Sequence, residues 1–238
     1  MNFRIPILLI AVITGFASCK EKDTVPPLDK NPPEVITVNT TTDTINIYQN
    51  NVRQNNTSNI YPDGATGYLP FLRGTQNFQI RRTRTTDVLF TKAIAIDSAT
   101  NYTFFVAGTT ADKFFTTIDP IEAAFDTVEN DNTDTRSVIR IVNASYASGP
   151  LNVTLGTGDT VNVKSLAFGT ATPFMKFNAA NSQQLKIYLS NSGAQFDTTL
   201  VFQTGLIYTL YTKGSPTGTG NTAFGIGLTT NQYIPLNL

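Results

Sequence analysis

From residue 34 onward, apolar and polar residues alternate in short stretches, each broken by Gly, Asn, Asp, Ser or Thr. Val35-Ile36-Thr37-Val38, Thr44-Ile45-Asn46-Ile47-Tyr48, Asn77-Phe78-Gln79-Ile80 and Tyr102-Thr103-Phe104-Phe105-Val106 show the pattern most plainly. A period of two in β-branched and aromatic side chains turns one face of an extended chain to a core and the other to water. Half-buried strands are therefore expected. Asp119-Pro120-Ile121-Glu122-Ala123-Ala124-Phe125 is different. A capping residue, a first-turn proline and helical apolar spacing predict one short helix there.

The pattern then runs a second time. Val138-Ile139-Arg140-Ile141-Val142-Asn143 answers Val35 to Asn39, and Leu151-Asn152-Val153 answers Ile45-Asn46-Ile47. Gly169-Thr170-Ala171 answers Gly64-Ala65-Thr66, Phe174 answers Tyr68, and Leu185-Lys186-Ile187 answers Phe78-Gln79-Ile80. Ile207-Tyr208-Thr209-Leu210 with Gly214 answers Asn101-Tyr102-Thr103-Phe104 with Gly108. The offsets run only from 103 (138 less 35) to 107 (187 less 80). Landmarks that hold register this closely are the mark of a duplication. Each copy is about 100 residues with some seven strands, the size of an immunoglobulin-like or transthyretin-like sandwich. The expected fold is all-β: two tandem antiparallel β-sandwiches, polar outside and apolar within. Repeat 1 is placed at 34–125, an acidic linker at 126–136 and repeat 2 at 137–238.

Ahead of the repeats, residues 1–18 pair Arg4 with an apolar run from Ile5 to Phe16 and contain no acidic residue. That is the pattern of a secretory signal, too short for a stop-transfer helix. Phe16-Ala17-Ser18-Cys19 resembles the bacterial lipobox, in which small residues precede a cysteine that takes diacylglycerol. Cleavage is expected between Ser18 and Cys19, with membrane lipid as the partner of acylated Cys19. Lys20-Glu21-Lys22-Asp23 resembles the Lys-plus-acidic signal of surface lipoproteins of the Bacteroidota. Residues 19–33, with Pro26, Pro27, Pro32 and Pro33, read as a stiff tether. The expected place is the cell envelope, lipid-anchored at the outer membrane and exposed at the surface.

Composition narrows the chemistry. Sixteen Phe and nine Tyr supply real cores, while charged residues are only 14% and the net charge is zero. Nothing steers the chain to polyanions, so nucleic-acid binding is disfavoured. Without His there is no Ser-His-Asp or Cys-His arrangement, and an acylated cysteine is no nucleophile. Asp63, Asp87, Asp97, Asp112, Asp159 and Asp197 sit beside Gly, Thr or Ser and read as turn formers rather than a glycosidase pair. No enzyme and no cofactor are expected.

Other residues suggest weaker chemistry. Asp126, Glu129, Asp131 and Asp134 form a candidate Ca²⁺ set in the linker, but they lack the Gly and terminal Glu of an EF-hand loop. A solvated linker is the preferred reading. Arg81, Arg82 and Arg84 beside Arg73 read as a charged sheet edge. The Asp-Ser/Thr-apolar triplets make Thr24, Thr44, Ser98, Thr127, Thr160 and Thr198 candidates for Bacteroidota-type O-glycosylation. Tyr61, Tyr68 and Phe71 could stack on sugars, although a core role is the plainer expectation.

In the second copy, Arg140-Ile141-Val142-Asn143-Ala144-Ser145, Leu166-Ala167-Phe168-Gly169-Thr170 and Tyr208-Thr209-Leu210 resemble domain-of-unknown-function family 4397. That family's pattern opens with a strand ending in Asn-Ala-Ser or His-Ala-Ser, followed by a Phe-Gly-Thr turn and a Tyr-Thr strand. Tandem copies are implied, the second clearer than the first. The first has Val38-Asn39-Thr40-Thr41 and Tyr61-Pro62-Asp63-Gly64 at the corresponding places. The resemblance implies a β-sandwich in an exported, surface-attached protein and brings no catalytic residues with it. The expectation is therefore an anchored, non-catalytic lipoprotein presenting tandem modules for adhesion or assembly with an envelope partner. Surface glycan binding for polysaccharide uptake is the alternative.

Overall fold

The alternating stretches become strands, and they do so twice in the same order. The computed structural model describes residues 30–126, 136–156, 161–179, 182–189 and 195–233. The leader, most of the tether and most of the linker lie outside these. The first half holds β1 (Glu34–Asn39), β2 (Ile45–Gln49), β3 (Val52–Arg53), β4 (Leu69–Pro70), β5 (Gly74–Arg82), β6 (Val88–Ile96), β7 (Asn101–Val106), β8 (Phe114–Ile118) and α1 (Ile121–Asp126). The second holds β9 (Arg136–Asn143), β10 (Leu151–Leu155), β11 (Val161–Leu166), β12 (Met175–Asn178), β13 (Ser182–Leu189), β14 (Gln195–Val201), β15 (Leu206–Lys213) and β16 (Gly225–Tyr233). Among the described residues eight strands form in each half, where about seven were expected.

The first half is a sandwich of sheets ordered β4-β1-β7-β8 and β3-β2-β5-β6. The second is β12-β9-β15-β16 and β11-β10-β13-β14. Adding eight to every strand number of the first half yields the second, so the duplication seen in the sequence is present in the topology. Two landmarks shift by a residue. Val35 pairs with Tyr102 as Ile139 pairs with Tyr208, so Val35 corresponds to Ile139 rather than Val138. Ala65 bridges Val38 as Ala171 bridges Val142, so Gly64 corresponds to Thr170 rather than Gly169.

Each sandwich has its own core. Phe104 meets Phe78 and Phe114 edge-on, with centroids 5.0 and 5.5 Å apart. Ile141, Val153, Ile187 and Leu210 fill the second core, each fully buried. Tyr102 accepts a bond from the Asp97 amide at 3.0 Å, and Tyr208 accepts one from Gln203 at 2.9 Å. Each hydroxyl ties down the backbone five residues upstream, in the manner of the tyrosine corner of immunoglobulin-like sandwiches.

Three expectations are corrected. The sheets are not purely antiparallel, because β1 runs parallel to β7 and β9 parallel to β15. Alternation is the same for either direction, so periodicity could not reveal this. Next, β1 and β7 are buried at five of six positions and β15 at seven of eight. The reason is that the sheets holding β1 and β9 also pack on each other. Ile36, Val38 and Phe105 of one half join Val142, Ala144 and Tyr211 of the other in a shared apolar cluster. Residues 31–238 thus form one compact unit. Lastly, Arg81 and Arg82 are on no edge, since β5 lies between β2 and β6. Arg82 pairs with Asp43 at 3.0 Å, and Arg81 lies 4.2 Å over the Tyr48 ring.

Candidate functional site

Between the halves sits a polar network that the apolar patterning gives no hint of. Arg140 on β9 is 1% exposed, and its guanidinium meets Asp119 at 2.6 Å. The same guanidinium donates to Thr209 Oγ1 at 2.8 Å, the Ile118 carbonyl at 3.0 Å and Thr103 Oγ1 at 3.0 Å. Asp119 also accepts from Thr103 at 2.6 Å, Tyr68 at 2.7 Å and Asn231 at 3.2 Å. Burial, followed by the Asp119 charge, raises the Tyr68 pKa well above the usual phenol value. Asp119 was expected as a helix cap. Its carbonyl does accept from the Ile121 amide at 2.8 Å, but its side chain is spent on the ion pair. A buried charge needs a partner, and here the partner comes from the other half.

The interface also gathers loops at one end. Because β1 is parallel to β7, their last residues, Asn39 and Val106, lie side by side, as do Asn143 and Thr212. Two loops of each half therefore leave from the same end, and face-to-face packing sets them together. They enclose a groove of about 370 Å³. Thr41 and Thr42 line it from the β1–β2 loop, and Gly108 and Lys113 from the β7–β8 loop. Tyr146 and the segment from Gly214 to Thr222 line it from the second half. Most of these side chains are hydroxyls or amides, and among the described residues no carboxylate lines the groove. Its volume is in the range of small-molecule sites.

The loops are held, not loose. Asn39 donates to the Asp43 and Ile60 carbonyls at 2.7 and 3.1 Å, while its Oδ1 accepts from the Thr41 amide at 3.0 Å. Asn143 repeats this, donating to Gly149 and Leu166 and accepting from the Ser145 amide. Both asparagines are fully buried. The motif residue read at 143 is thus a loop clamp, present in both halves. Ser145 Oγ donates to the Gly214 carbonyl at 2.7 Å, joining two walls of the groove. Lys113 Nζ stands 4.0 Å over the ring of Tyr146, so one half reaches across to the other. Its neighbour Asp112 is outside the lining, and a Thr110 hydrogen bond lowers that carboxyl below its ordinary pKa.

The residues singled out in the sequence do not assemble into one site. Asp63 sits in a turn with φ 61°, Asp87 and Asp97 lie in the loops beside turns, and Asp112 is in the 3-10 helix Ala111–Lys113. Asp197 departs from expectation, lying within β14 and 3.8 Å from Lys186. Phe71 is core and Tyr61 is exposed, while Tyr68 belongs to the buried network. Thr44, Ser98 and Thr198 are half-buried. Ser18, Cys19, Thr24, Thr127, Glu129, Asp131, Asp134, Asp159 and Thr160 lie outside the described residues, as does the side chain of Asp126. Among the described residues no three His, Cys, Asp or Glu are grouped to hold a metal ion. Lys113 and Tyr146 were not anticipated. Only the tertiary contact between their loops marks them.

Comparison with known proteins adds a family match. Residues 34–135 match the family model described as Domain of unknown function (DUF4397). The match falls on the first half, where the motifs read from the sequence were less complete. A solved structure of a candidate cell adhesion protein from Bacteroides ovatus is 10% identical. It covers 86% of this chain and 98% of its own, at a TM-score of 0.23. The curated proteins contain no match.

Proposed function

We propose that the chain is an anchored, non-catalytic surface module for adhesion or assembly. Acyl chains on Cys19 hold it to the outer membrane, residues 19–33 act as the tether, and the duplicated body is displayed beyond them. On this reading the second half is a diverged copy of the matched family domain, joined through the linker at 126–136. The observation that supports a binding role is the groove at one end of a body whose halves share a buried ion pair and an apolar cluster. A rigid body with clamped loops keeps a recognition surface preorganised, so little order has to be imposed on binding.

The reading is tested by Cys19→Ala in the full chain, followed by membrane fractionation and attachment of intact cells to coated surfaces. The variant is expected to leave the membrane fraction and to lose surface attachment. If it stays in the membrane fraction as firmly as the parent protein, the anchoring is wrong. A second reading, glycan capture, is favoured by the half-exposed Tyr146 ring among hydroxyl groups.

A further inference from the structure

The duplication supplies an internal control on the groove. Register pairs Val106 with Phe114 and Thr212 with Ile226, so Lys113 corresponds to Gly225. Since Asn39 and Asn143 hold the same place, Tyr146 corresponds to Thr42. The fold therefore tolerates glycine and threonine at these two places. Yet the cation and the ring occur once each, on opposite halves, and meet over the groove at 4.0 Å. Gly108 makes room for this, because a Cβ there would run into the Lys113 stem. The pair departs from the repeat where the two halves meet.

We infer that this groove binds an anionic saccharide, with Lys113 taking the sugar carboxylate and Tyr146 the apolar face of the ring. The assignment rests on the binding-module reading above and deepens it. Tyr146 is 47% exposed, which leaves ring surface free for a ligand. Aromatic rings present an apolar body beside a polar tip, which suits a sugar with one CH-rich face. Thr42, Thr109, Ser215 and Asn221 supply groups that both donate and accept, matching sugar hydroxyls. Among the described residues the groove is lined by a cation and by no carboxylate, so an acidic sugar is preferred over a neutral one. A charge-assisted hydrogen bond in a partly enclosed site favours the acid by about tenfold or more.

The test uses the full-length protein in detergent and a uronate-containing tetrasaccharide, set against its carboxyl-reduced form and a sulfated tetrasaccharide of equal length, by calorimetric titration. The uronate form is expected to bind about tenfold more tightly than the reduced form. Lys113→Gln should abolish that preference, and Lys113→Arg should keep it. Tyr146→Thr, which installs the residue of the other half, should weaken both forms alike. Thermal melts of each variant report folding separately. Equal binding of the uronate and reduced forms overturns the proposal, as does a preference for the sulfated sugar. Unchanged affinity in Lys113→Gln and Tyr146→Thr, with lowered melting temperatures, would make the pair a structural staple and likewise overturn it. Sugar binding that fails while Cys19-dependent cell attachment persists removes the ligand assignment and leaves the adhesion reading standing.

Discussion

At the residue scale, the duplication shows which side chains the fold requires and which the interface added. Ile36 opposes Thr103 as Arg140 opposes Thr209, so Arg140 stands where the first half has isoleucine. Asp119 follows Ile118, which opposes Tyr102, and Asn231 follows Thr230, which opposes Tyr208. An isoleucine of the first half thus answers the cation of the second, and an asparagine of the second answers the carboxylate of the first. An ion pair this deep adds little net stability, because desolvation offsets the attraction, but stranding one partner is costly. Arg140→Met is expected to destabilise the body by about 3–5 kcal/mol in denaturant unfolding. Arg140→Met combined with Asp119→Asn should recover most of that loss. A double variant no more stable than the single one would mean that the stranded charge is not the cause. The run Val138-Ile139-Arg140-Ile141-Val142 did not reveal that its arginine is buried, because alternation leaves one face of a strand to water. Its partner was not legible, because Asp119 also satisfies the local rule for a helix cap.

At the element scale, the groove wall from Gly214 to Thr222 depends on a backbone that only glycine adopts easily. Gly214 has φ +67°, and a Cβ there would collide with the Ala223 carbonyl. Ser215 donates from its amide to the Thr222 carbonyl at 2.9 Å, closing the loop on itself. Gly214→Ala carries both left-handed strain and a backbone clash, and is expected to cost about 1–3 kcal/mol. A shifted denaturation midpoint measures this, and an unchanged midpoint would show that the loop relaxes freely. The strands themselves were legible, since period two survives in β10 and β13, where only one face is buried. The parallel pairings were not. They bring distant segments together and leave no trace in the local pattern.

At the scale of the whole molecule, the shared cluster and the Arg140–Asp119 pair couple the halves, so the body is expected to unfold in one calorimetric transition. Two separated transitions would refute that coupling. Alkaline pH should weaken the coupled unit. Burial, aided by the Asp63 charge, pushes the Tyr211 pKa from 10.0 up to about 12, which favours the neutral phenol in the folded state. Its contribution is complete below pH 10.0 and is lost as pH rises through about 12, because the unfolded chain then releases the proton more readily. Stability should fall across that window, and Tyr211→Phe should make the fall shallower. A parent and a variant with identical alkaline profiles would contradict this.

Sequence alone determined where the strands lie and that the body is doubled, because period-two alternation and repeated landmarks are local and countable. Tertiary structure decided the rest: which strands run parallel, which sheets are buried on both faces, and which charge meets which. It also decided that Lys113 and Tyr146 share a groove. Each of these is a contact between segments far apart in the chain, and short-range patterning carries no record of the distance between them once folded.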